Sequence, residues 1–156
     1  MKPMILIGAD HGGFASKQVL KEWLAQQGYP VQDCGAASLD PNDDYPLVVE
    51  QVAAAMQQFI RDKRSAFAIL LCRSGAGMSM AANRYTHLRA VTALSEEQAR
   101  HARNDDDANV LSLPADWLSQ AELQAIVAQF LTTPFSQAER HSRRVDQLSK
   151  LGSQAA

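Results

Sequence analysis

Two short glycine-rich segments carry the residues of this chain that are best suited to chemistry. They are Gly8-Ala9-Asp10-His11-Gly12-Gly13 and Cys72-Arg73-Ser74-Gly75-Ala76-Gly77, which together hold five of the eight glycines. Glycine lets a ligand approach the backbone closely, and an aspartate beside a histidine is a candidate acid–base pair. A cysteine beside a glycine-rich turn is a candidate reactive thiol. The two segments together indicate a site for proton transfer.

The segment that follows Cys72 also suits a negatively charged ligand. A glycine-rich turn that leads into a helix directs several backbone N–H groups at one point, and the helix dipole adds partial positive charge. Such a turn binds an oxyanion or a phosphate. The alternative is that Cys72 is a small buried residue at the end of a strand. Asp10 and His11 have an alternative too, as a helix N-cap and a surface histidine.

A dense basic cluster, Arg140-His141-Ser142-Arg143-Arg144, lies near the end of the chain. Arg140 and Arg144 are i,i+4 neighbours on a predicted helix, so both guanidinium groups could bind one phosphate. The alternative is an ordinary solvated helix face. Nucleic acid is not expected as a partner, because no aromatic residues interleave with the arginines and the formal net charge is −2.

The composition is that of an ordinary globular protein. The chain has 156 residues, of which 46% are hydrophobic and 21% charged. This favours a single domain over residues 1–152 with a frayed tail at 153–156. The longest apolar run, Ala66 to Cys72, is too short to cross a membrane, and no export signal is visible, so we expect a cytoplasmic protein with free thiols. The histidines are scattered and no G-x-G-x-x-G is present, so no metal or cofactor is expected.

Apolar runs alternate with helical patterns along the chain, which predicts an α/β fold. The strand candidates are Met4–Ile7, Val31–Cys34, Ala66–Leu71, Arg89–Leu94 and Asn109–Leu113. Because helices separate them and no hairpin signals occur, we predict a Rossmann-like three-layer sandwich with a five-stranded parallel sheet. In the common strand order 2-1-3-4-5, ligands bind between the carboxyl ends of the first and third strands. Those two ends carry the glycine-rich segments.

Both segments, with Asp44-Tyr45-Pro46, the run from Cys72 through Arg84 and the pair Arg140 and Arg144, resemble the ribose-5-phosphate isomerase B family. That family also includes the galactose-6-phosphate isomerase subunits. The resemblance implies a metal-free aldose–ketose isomerisation of a phosphorylated sugar through an enediolate, with ribose 5-phosphate and ribulose 5-phosphate as the expected pair. It also implies a homo-oligomer, a dimer or tetramer, with a shared active site and a C-terminal helix that packs on a partner subunit.

The resemblance further implies roles for individual residues. Cys72 is the expected base that moves a proton between C1 and C2, and Ser74 is expected to help move protons between the two sugar oxygens. The backbone amides of Gly75, Ala76 and Gly77 are expected to stabilise the enediolate. The other expected site residues are Asp10, His11, Tyr45, Arg73, Asn109, Arg140 and Arg144, with His11 and the two arginines at the phosphate and Asn109 reaching a partner's site.

Several positions depart from the family pattern. Arg73 replaces a glycine, Asp105 and Asp106 replace a histidine and an asparagine, and Asp116 replaces an arginine that some members use for phosphate. The sequence therefore does not assign the residue that opens the sugar ring, and His101 is one candidate for that role.

Two alternative functions are also compatible with the sequence. One is an isomerase for another tetrose, pentose or hexose phosphate, and the other is a non-catalytic phosphosugar-binding subunit of a hetero-oligomer.

Overall fold

The computed structural model describes residues 1–152, which form five strands and six helices. In chain order these are β1 (Met4–Ala9), α1 (Phe14–Gln26), β2 (Val31–Asp33), α2 (Tyr45–Arg61), β3 (Ala66–Cys72), α3 (Ala76–Ala82), β4 (Ala90–Thr92), α4 (Glu96–Asp106), β5 (Val110–Pro114), α5 (Gln120–Thr132) and α6 (Glu139–Ser149). The predicted tail at 153–156 lies outside the described residues. Within 1–152, no helix is both long and apolar enough to span a membrane.

All five strands are parallel and form one sheet in the order β2-β1-β3-β5-β4. The predicted Rossmann-like α/β fold is confirmed, and β1 lies beside β3 as expected. The expected order 2-1-3-4-5 is wrong for the last two strands, because β5 lies next to β3 and β4 forms the edge. Burial explains the exchange: all of β5 is buried, whereas β4 has three residues and two of them, Val91 and Thr92, are partly exposed.

The two faces of the sheet bury separate hydrophobic cores. Ile5, Ile7, Ile69 and Leu71 point to the face covered by α1, α4 and α5. Alternate residues of the same strands point to the face covered by α2 and α3, and Cys72 belongs to this second set. A strand that is buried on both faces has a nearly continuous apolar sequence, which is why β3 was easy to predict. The layering also fixes which helices flank the thiol.

Helix α2 begins inside a segment whose composition is typical of a loop. The segment LDPNDDYP at residues 39–46 is rich in Pro, Asn and Asp, yet the helix starts at Tyr45, with Asp44 at the N-cap and Pro46 in the first turn. Proline is favoured in the first turn, where its missing N–H costs no hydrogen bond. Tyr45 is therefore held at a helix start rather than in a loop.

Helix α6 packs against the carboxyl-terminal part of α4. The Ser136 N–H donates to the Asn104 carbonyl at 3.0 Å just before α6 begins. Only His141 of α6 is buried, and most of the helix is exposed. Its packing on a partner subunit stays a prediction.

Candidate active site

The two glycine-rich segments lie side by side at the carboxyl edge of the sheet. Ala9 pairs with Leu71 at the ends of β1 and β3, and the Asp10 N–H donates to the Leu71 carbonyl at 3.3 Å. Beyond the strands, Gly12 lies against Arg73: a Cβ on Gly12 would stand 2.5 Å from Arg73 Cγ. Asp10 and Cys72 thus leave neighbouring strands at the switch point of the sheet, where open parallel sheets bind ligands, and we call the space between their two segments the crevice.

Cys72 ends β3 with its side chain 5% exposed, and its sulfur accepts a hydrogen bond from the Gly75 N–H at 3.1 Å. The turn that makes this contact requires glycine, because Gly75 has φ of 75° and a Cβ there would stand 2.8 Å from Thr92 Cγ2. The donor is placed to hydrogen-bond the sulfur as thiol or thiolate. Cys72 is therefore a buried residue at the end of a strand, as the structural alternative predicted. Its sulfur also contacts a backbone N–H of the glycine-rich turn, as a reactive thiol would require.

Ser74 and Arg73 lie at the rim of the crevice. The Ser74 hydroxyl accepts a hydrogen bond from the Ala76 N–H at 3.3 Å. The exposed Arg73 side chain is 3.5 Å from an Asp116 carboxylate oxygen, and the Asp116 N–H donates to the Arg73 carbonyl at 3.1 Å. Two of the departures from the family pattern thus form an ion pair with each other, which holds the Arg73 cation at the rim.

Asp10 is nearly buried, and one of its oxygens closes the turn after β1. This oxygen, Oδ1, accepts hydrogen bonds from the N–H groups of Gly12 at 2.9 Å and Gly13 at 3.3 Å. The N-cap interpretation of Asp10 is wrong, because Gly13 is the N-cap of α1 and has no side-chain cap hydrogen bond, and Asp10 instead closes the turn before the helix. Within the described residues Oδ2 makes no hydrogen bond, so one carboxylate oxygen is left for a ligand.

His11 is held by Asp43, a residue that was not assigned from the sequence. Its Nδ1 lies 2.7 Å from Asp43 Oδ1, and its backbone N–H donates to the same oxygen at 3.0 Å. Asp43 lies 32 positions away in the loop before α2, and an aspartate in the segment LDPNDDYP looked like a turn residue. In the sequence, only its position two residues before Tyr45 pointed to a place near the site.

The ring of Tyr45 lies over Gly77 at the start of α3. A Cβ on Gly77 would stand 2.9 Å from Tyr45 Cζ and 3.1 Å from both ε carbons of the ring. Tyr45 is 37% exposed, so one face of its ring is covered by the turn that follows Cys72. Tyr45 thus lies beside the segment that follows Cys72, and its role in substrate binding stays a prediction.

A buried lysine fixes the loop that connects β2 to α2. Lys17 has no exposed surface, and its Nζ donates to Asp33 Oδ1 at 3.0 Å and to the Ala36 carbonyl at 2.8 Å. Lys21 donates to the other Asp33 oxygen at 2.6 Å. Burial raises the pKa of Asp33, but hydrogen bonds from Lys21, Gly35 and Lys17 outweigh it, so the pKa lies below its usual value. The cluster sits at the carboxyl end of β2, beside the crevice.

Asn109 lies at the opposite edge of the sheet. It immediately precedes β5, where its Oδ1 accepts from the Arg89 N–H at 2.7 Å and its Nδ2 donates to the His87 carbonyl at 2.9 Å. The five residues of β5 separate it from the carboxyl edge, a rise of about 16 Å at about 3.3 Å per residue. A single chain therefore does not bring Asn109 to Cys72, and its amide is engaged in holding the turn before β4.

The basic residues of α6 lie near that same amino edge. Arg140 Nε donates to His141 Nε2 at 3.2 Å, and Asp105 Oδ2 is 3.7 Å from His141 Nε2 and 3.6 Å from His101 Nε2. A hydrogen bond from the Asn104 amide, and then the electrostatic effect of the basic side chains nearby, keep the pKa of Asp105 below its usual value. Arg144 is exposed. Among residues 1–152, no three His, Cys, Asp or Glu residues are placed to hold a metal ion.

A parallel α/β sheet with a thiol, a carboxylate and an imidazole on loops at its switch point defines a Rossmann-like protein with an enzyme-type site. The family model described as ribose/galactose isomerase matches residues 5–148. The chain belongs to this family.

Individual relatives agree with this assignment. The chain is 39% identical over 146 residues to the ribose-5-phosphate isomerase B of Mycolicibacterium paratuberculosis, which covers 94% of this chain and 89% of the relative. The crystal structure of ribose-5-phosphate isomerase B from Mycoplasma genitalium with bound ribulose-5-phosphate has a TM-score of 0.90 and 34% identity, over 99% of both chains. The enzyme from Thermotoga maritima has a TM-score of 0.87 and 37% identity, over 97% of this chain and 100% of that one. The resemblance found in the sequence, and with it the prediction of an enzyme of the aldose–ketose isomerase class, is confirmed.

Proposed function

We propose that this chain interconverts ribose 5-phosphate and ribulose 5-phosphate through an enediolate, with Cys72 as the base. The single observation that carries this proposal is the position of Cys72 beside Asp10 at the switch point, with its sulfur hydrogen-bonded to the Gly75 N–H. Binding alone needs no thiol there. The relatives named as ribose-5-phosphate isomerases favour this substrate over a tetrose or hexose phosphate.

The proton transfer needs only groups that this crevice provides. The Cys72 thiolate takes the proton from C2 of the open-chain aldose, and the C–H electron pair becomes the C1=C2 bond while the C1 carbonyl oxygen takes the negative charge. We assign stabilisation of that oxygen to the amides of residues 75–77, a contribution of a few kcal/mol per donor. The Gly75 N–H contacts the Cys72 sulfur and the Ala76 N–H contacts the Ser74 hydroxyl, so this role requires both donors to exchange those contacts for the substrate oxygen. The Ser74 hydroxyl moves a proton from O2 to O1, and the thiol returns its proton to C1, which leaves the ketose.

Phosphate binding is assigned to His11, Arg140 and Arg144. Because the two arginines lie near the amino edge of the sheet and His11 at the carboxyl edge, one chain cannot supply all three to one substrate. We therefore assign Arg140, Arg144 and Asn109 to the site of a second copy in a homo-oligomer. Binding the phosphate away from the reacting carbons fixes the sugar for proton transfer.

The proposal is tested with a panel of aldose phosphates that carry deuterium at C2. We expect ketose formation and loss of deuterium to solvent to be fastest with ribose 5-phosphate, and to be unchanged after treatment with EDTA. Faster turnover of a tetrose or hexose phosphate would assign a different substrate. Phosphosugar binding without turnover of any substrate would favour the non-catalytic subunit, and loss of turnover with EDTA would indicate a metal-dependent reaction.

A further inference from the structure

We infer that Asp43 is a positioning residue that fixes the ring orientation and tautomer of His11. In this arrangement the His11 Nδ1 carries its proton toward Asp43, and Nε2 is the nitrogen that meets the substrate. The inference about the ring stands on the contacts between these two residues. Only its consequence for turnover rests on the proposed function.

The contacts between Asp43 and His11 leave one assignment for the ring. A carboxylate oxygen only accepts hydrogen bonds, so the 2.7 Å contact with Asp43 Oδ1 requires the proton on Nδ1. The His11 backbone N–H donates to the same oxygen at 3.0 Å, so main chain and ring are held by one acceptor. Within the described residues Nε2 makes no hydrogen bond. With the proton on Nδ1, Nε2 of the neutral ring accepts a hydrogen bond from a bound ligand, and it donates one, as a phosphate requires, only when both ring nitrogens are protonated.

The contact between Asp43 and His11 is more shielded from solvent than an ion pair on the protein surface. The side chain of Asp43 is 16% exposed and that of His11 is 32% exposed, so solvent screens the contact only in part. His11 lies between Asp10, which closes the turn after β1, and Gly12, which lies against Arg73. The backbone that carries the ring is thus part of the turn beside Cys72.

The loop that carries Asp43 is fastened on both sides of it. Lys17 holds the loop near its start through the Ala36 carbonyl, and the ring of Tyr45 rests on Gly77 two residues after Asp43. Asp43 is therefore held in place from both directions. A residue held in this way limits the rotation of the ring that it contacts, as outer partners of functional histidines do.

The first test measures the tautomer of His11 directly, without substrate. Protein labelled with ¹⁵N-histidine is studied by two-bond ¹H–¹⁵N correlation spectra at roughly pH 8.5, where an ordinary imidazole is neutral. His11→Gln identifies the signal among the four histidines. We expect the Nδ1–H tautomer in the wild type and a shift toward the Nε2–H tautomer in Asp43→Ala.

The matched control is Asp44→Asn, which removes a carboxylate one residue away that makes no side-chain hydrogen bond at its helix N-cap. It should leave the His11 spectrum unchanged. An Nε2–H tautomer in the wild type, or the same His11 spectrum in Asp43→Ala, would overturn the inference. If Asp43→Ala does not fold, Asp43→Leu removes the acceptor while it keeps a side chain branched at Cγ, and it decides in the same way.

The second test asks whether Asp43 acts through His11. We expect Asp43→Ala to lower kcat/KM roughly 10- to 100-fold, as loss of an outer partner does at other functional histidines. In a His11→Gln background the same change should cost less than about twofold, because coupled residues are not additive. An equal loss in both backgrounds would show an independent role and contradict the inference. If the wild type has no isomerase activity, the proposed function fails, while the tautomer measurement still decides the role of Asp43.

Discussion

The aromatic ring of Tyr45 occupies the space that a side chain on Gly77 would need. The ideal Cβ position of Gly77 lies 2.9 Å from Tyr45 Cζ. Tyr45 begins α2 and Gly77 lies in the first turn of α3, so this contact joins the two helices at the crevice. Glycine at this position is thus explained by the approach of a ring rather than by an unusual backbone conformation.

We predict that Gly77→Ala lowers turnover while it leaves stability nearly unchanged. Alanine favours a helix over glycine by about 0.5–1 kcal/mol, which offsets the cost of moving the exposed ring. The displaced ring should lower kcat/KM by roughly 3- to 10-fold, about 0.7–1.4 kcal/mol of transition-state stabilisation. Steady-state kinetics and urea unfolding check both parts. In a Tyr45→Ala background, Gly77→Ala should have no further effect on turnover, and an equal loss there would refute the contact as the cause.

Local sequence patterns predicted the fold and the crevice well because their causes are local. The buried strands β1 and β3 are continuous apolar runs that end in glycine-rich loops, and parallel strands necessarily place those loops at one edge. The order of β4 and β5 was not predictable in this way. It depends on which strand the whole sheet buries, and a three-residue strand such as Ala90–Thr92 carries little information about its neighbours.

The contacts that position the site were missed because they join residues far apart in sequence. Asp43 contacts His11 across 32 positions, and Lys17 contacts Asp33 across 16. Lys17 looks like an ordinary helix lysine, since charged residues are rarely buried unless paired, and its partner cannot be recognised from spacing. The distribution of Asn109, Arg140 and Arg144 on the far edge likewise follows from topology and not from any motif.

Replacement of the proposed base gives a second prediction. Cys72→Ser should lower kcat by roughly 10²- to 10⁴-fold, the usual contribution of a positioned base, because a serine hydroxyl is a poor base at neutral pH. Phosphosugar affinity, measured by calorimetry, should change little. Cys34→Ala is the matched control, because it removes the other free thiol, and it should retain full turnover. Full turnover in Cys72→Ser would remove Cys72 from the mechanism.

Cys34 gives a prediction for alkaline pH. Burial, assisted by the nearby Asp33 carboxylate, raises the pKa of the Cys34 thiol from 9.0 to about 11. Below pH 9 the thiol is protonated in both folded and unfolded chains, so its contribution to stability is complete. Between pH 9 and 11 only the unfolded chain loses the proton, and stability therefore falls as pH rises. Urea unfolding at pH 8 and pH 10.5 measures how much the free energy of unfolding falls between the two pH values. This fall should be larger for the wild type than for Cys34→Ala, and an equal fall in both would contradict the burial effect.

Asp33 is predicted to stabilise the fold through the buried Lys17. Asp33→Ala leaves the Lys17 ammonium with the Ala36 carbonyl as its one hydrogen-bond acceptor, and breaking a buried pair costs about 3–5 kcal/mol. Because the pKa of folded Asp33 is lowered, its contribution is complete above the ordinary carboxyl range and is lost as pH falls through the folded value. Chemical unfolding of the wild type and of Asp33→Ala, repeated over a range of acidic pH, measures the cost of the substitution and its pH dependence. Asp62→Ala, an exposed helix-end control, should cost less than about 0.5 kcal/mol, and a similar cost for Asp33→Ala would refute the prediction.

The separation of Cys72 from Arg140 and Arg144 predicts that two inactive variants restore activity when mixed. If each site combines the carboxyl edge of one chain with the amino edge of another, random exchange of Cys72→Ser with Arg140→Ala/Arg144→Ala subunits makes half of the dimers mixed. One of the two sites in each mixed dimer is then intact, which gives about a quarter of wild-type activity.

The matched control for subunit mixing uses two variants of the same edge. Cys72→Ser mixed with Asp10→Asn should restore nothing, because every site in a mixed dimer then carries one defect. Turnover of ribose 5-phosphate is measured after the subunits have been exchanged by dilution and reassociation, with each variant alone as the baseline. The contrary outcome is negligible activity in both mixtures although native mass spectrometry detects mixed dimers. It would mean that the arginines do not complete a partner's site. Because the two edges of one chain are too far apart to share a substrate, the arginines would then have no part in substrate binding.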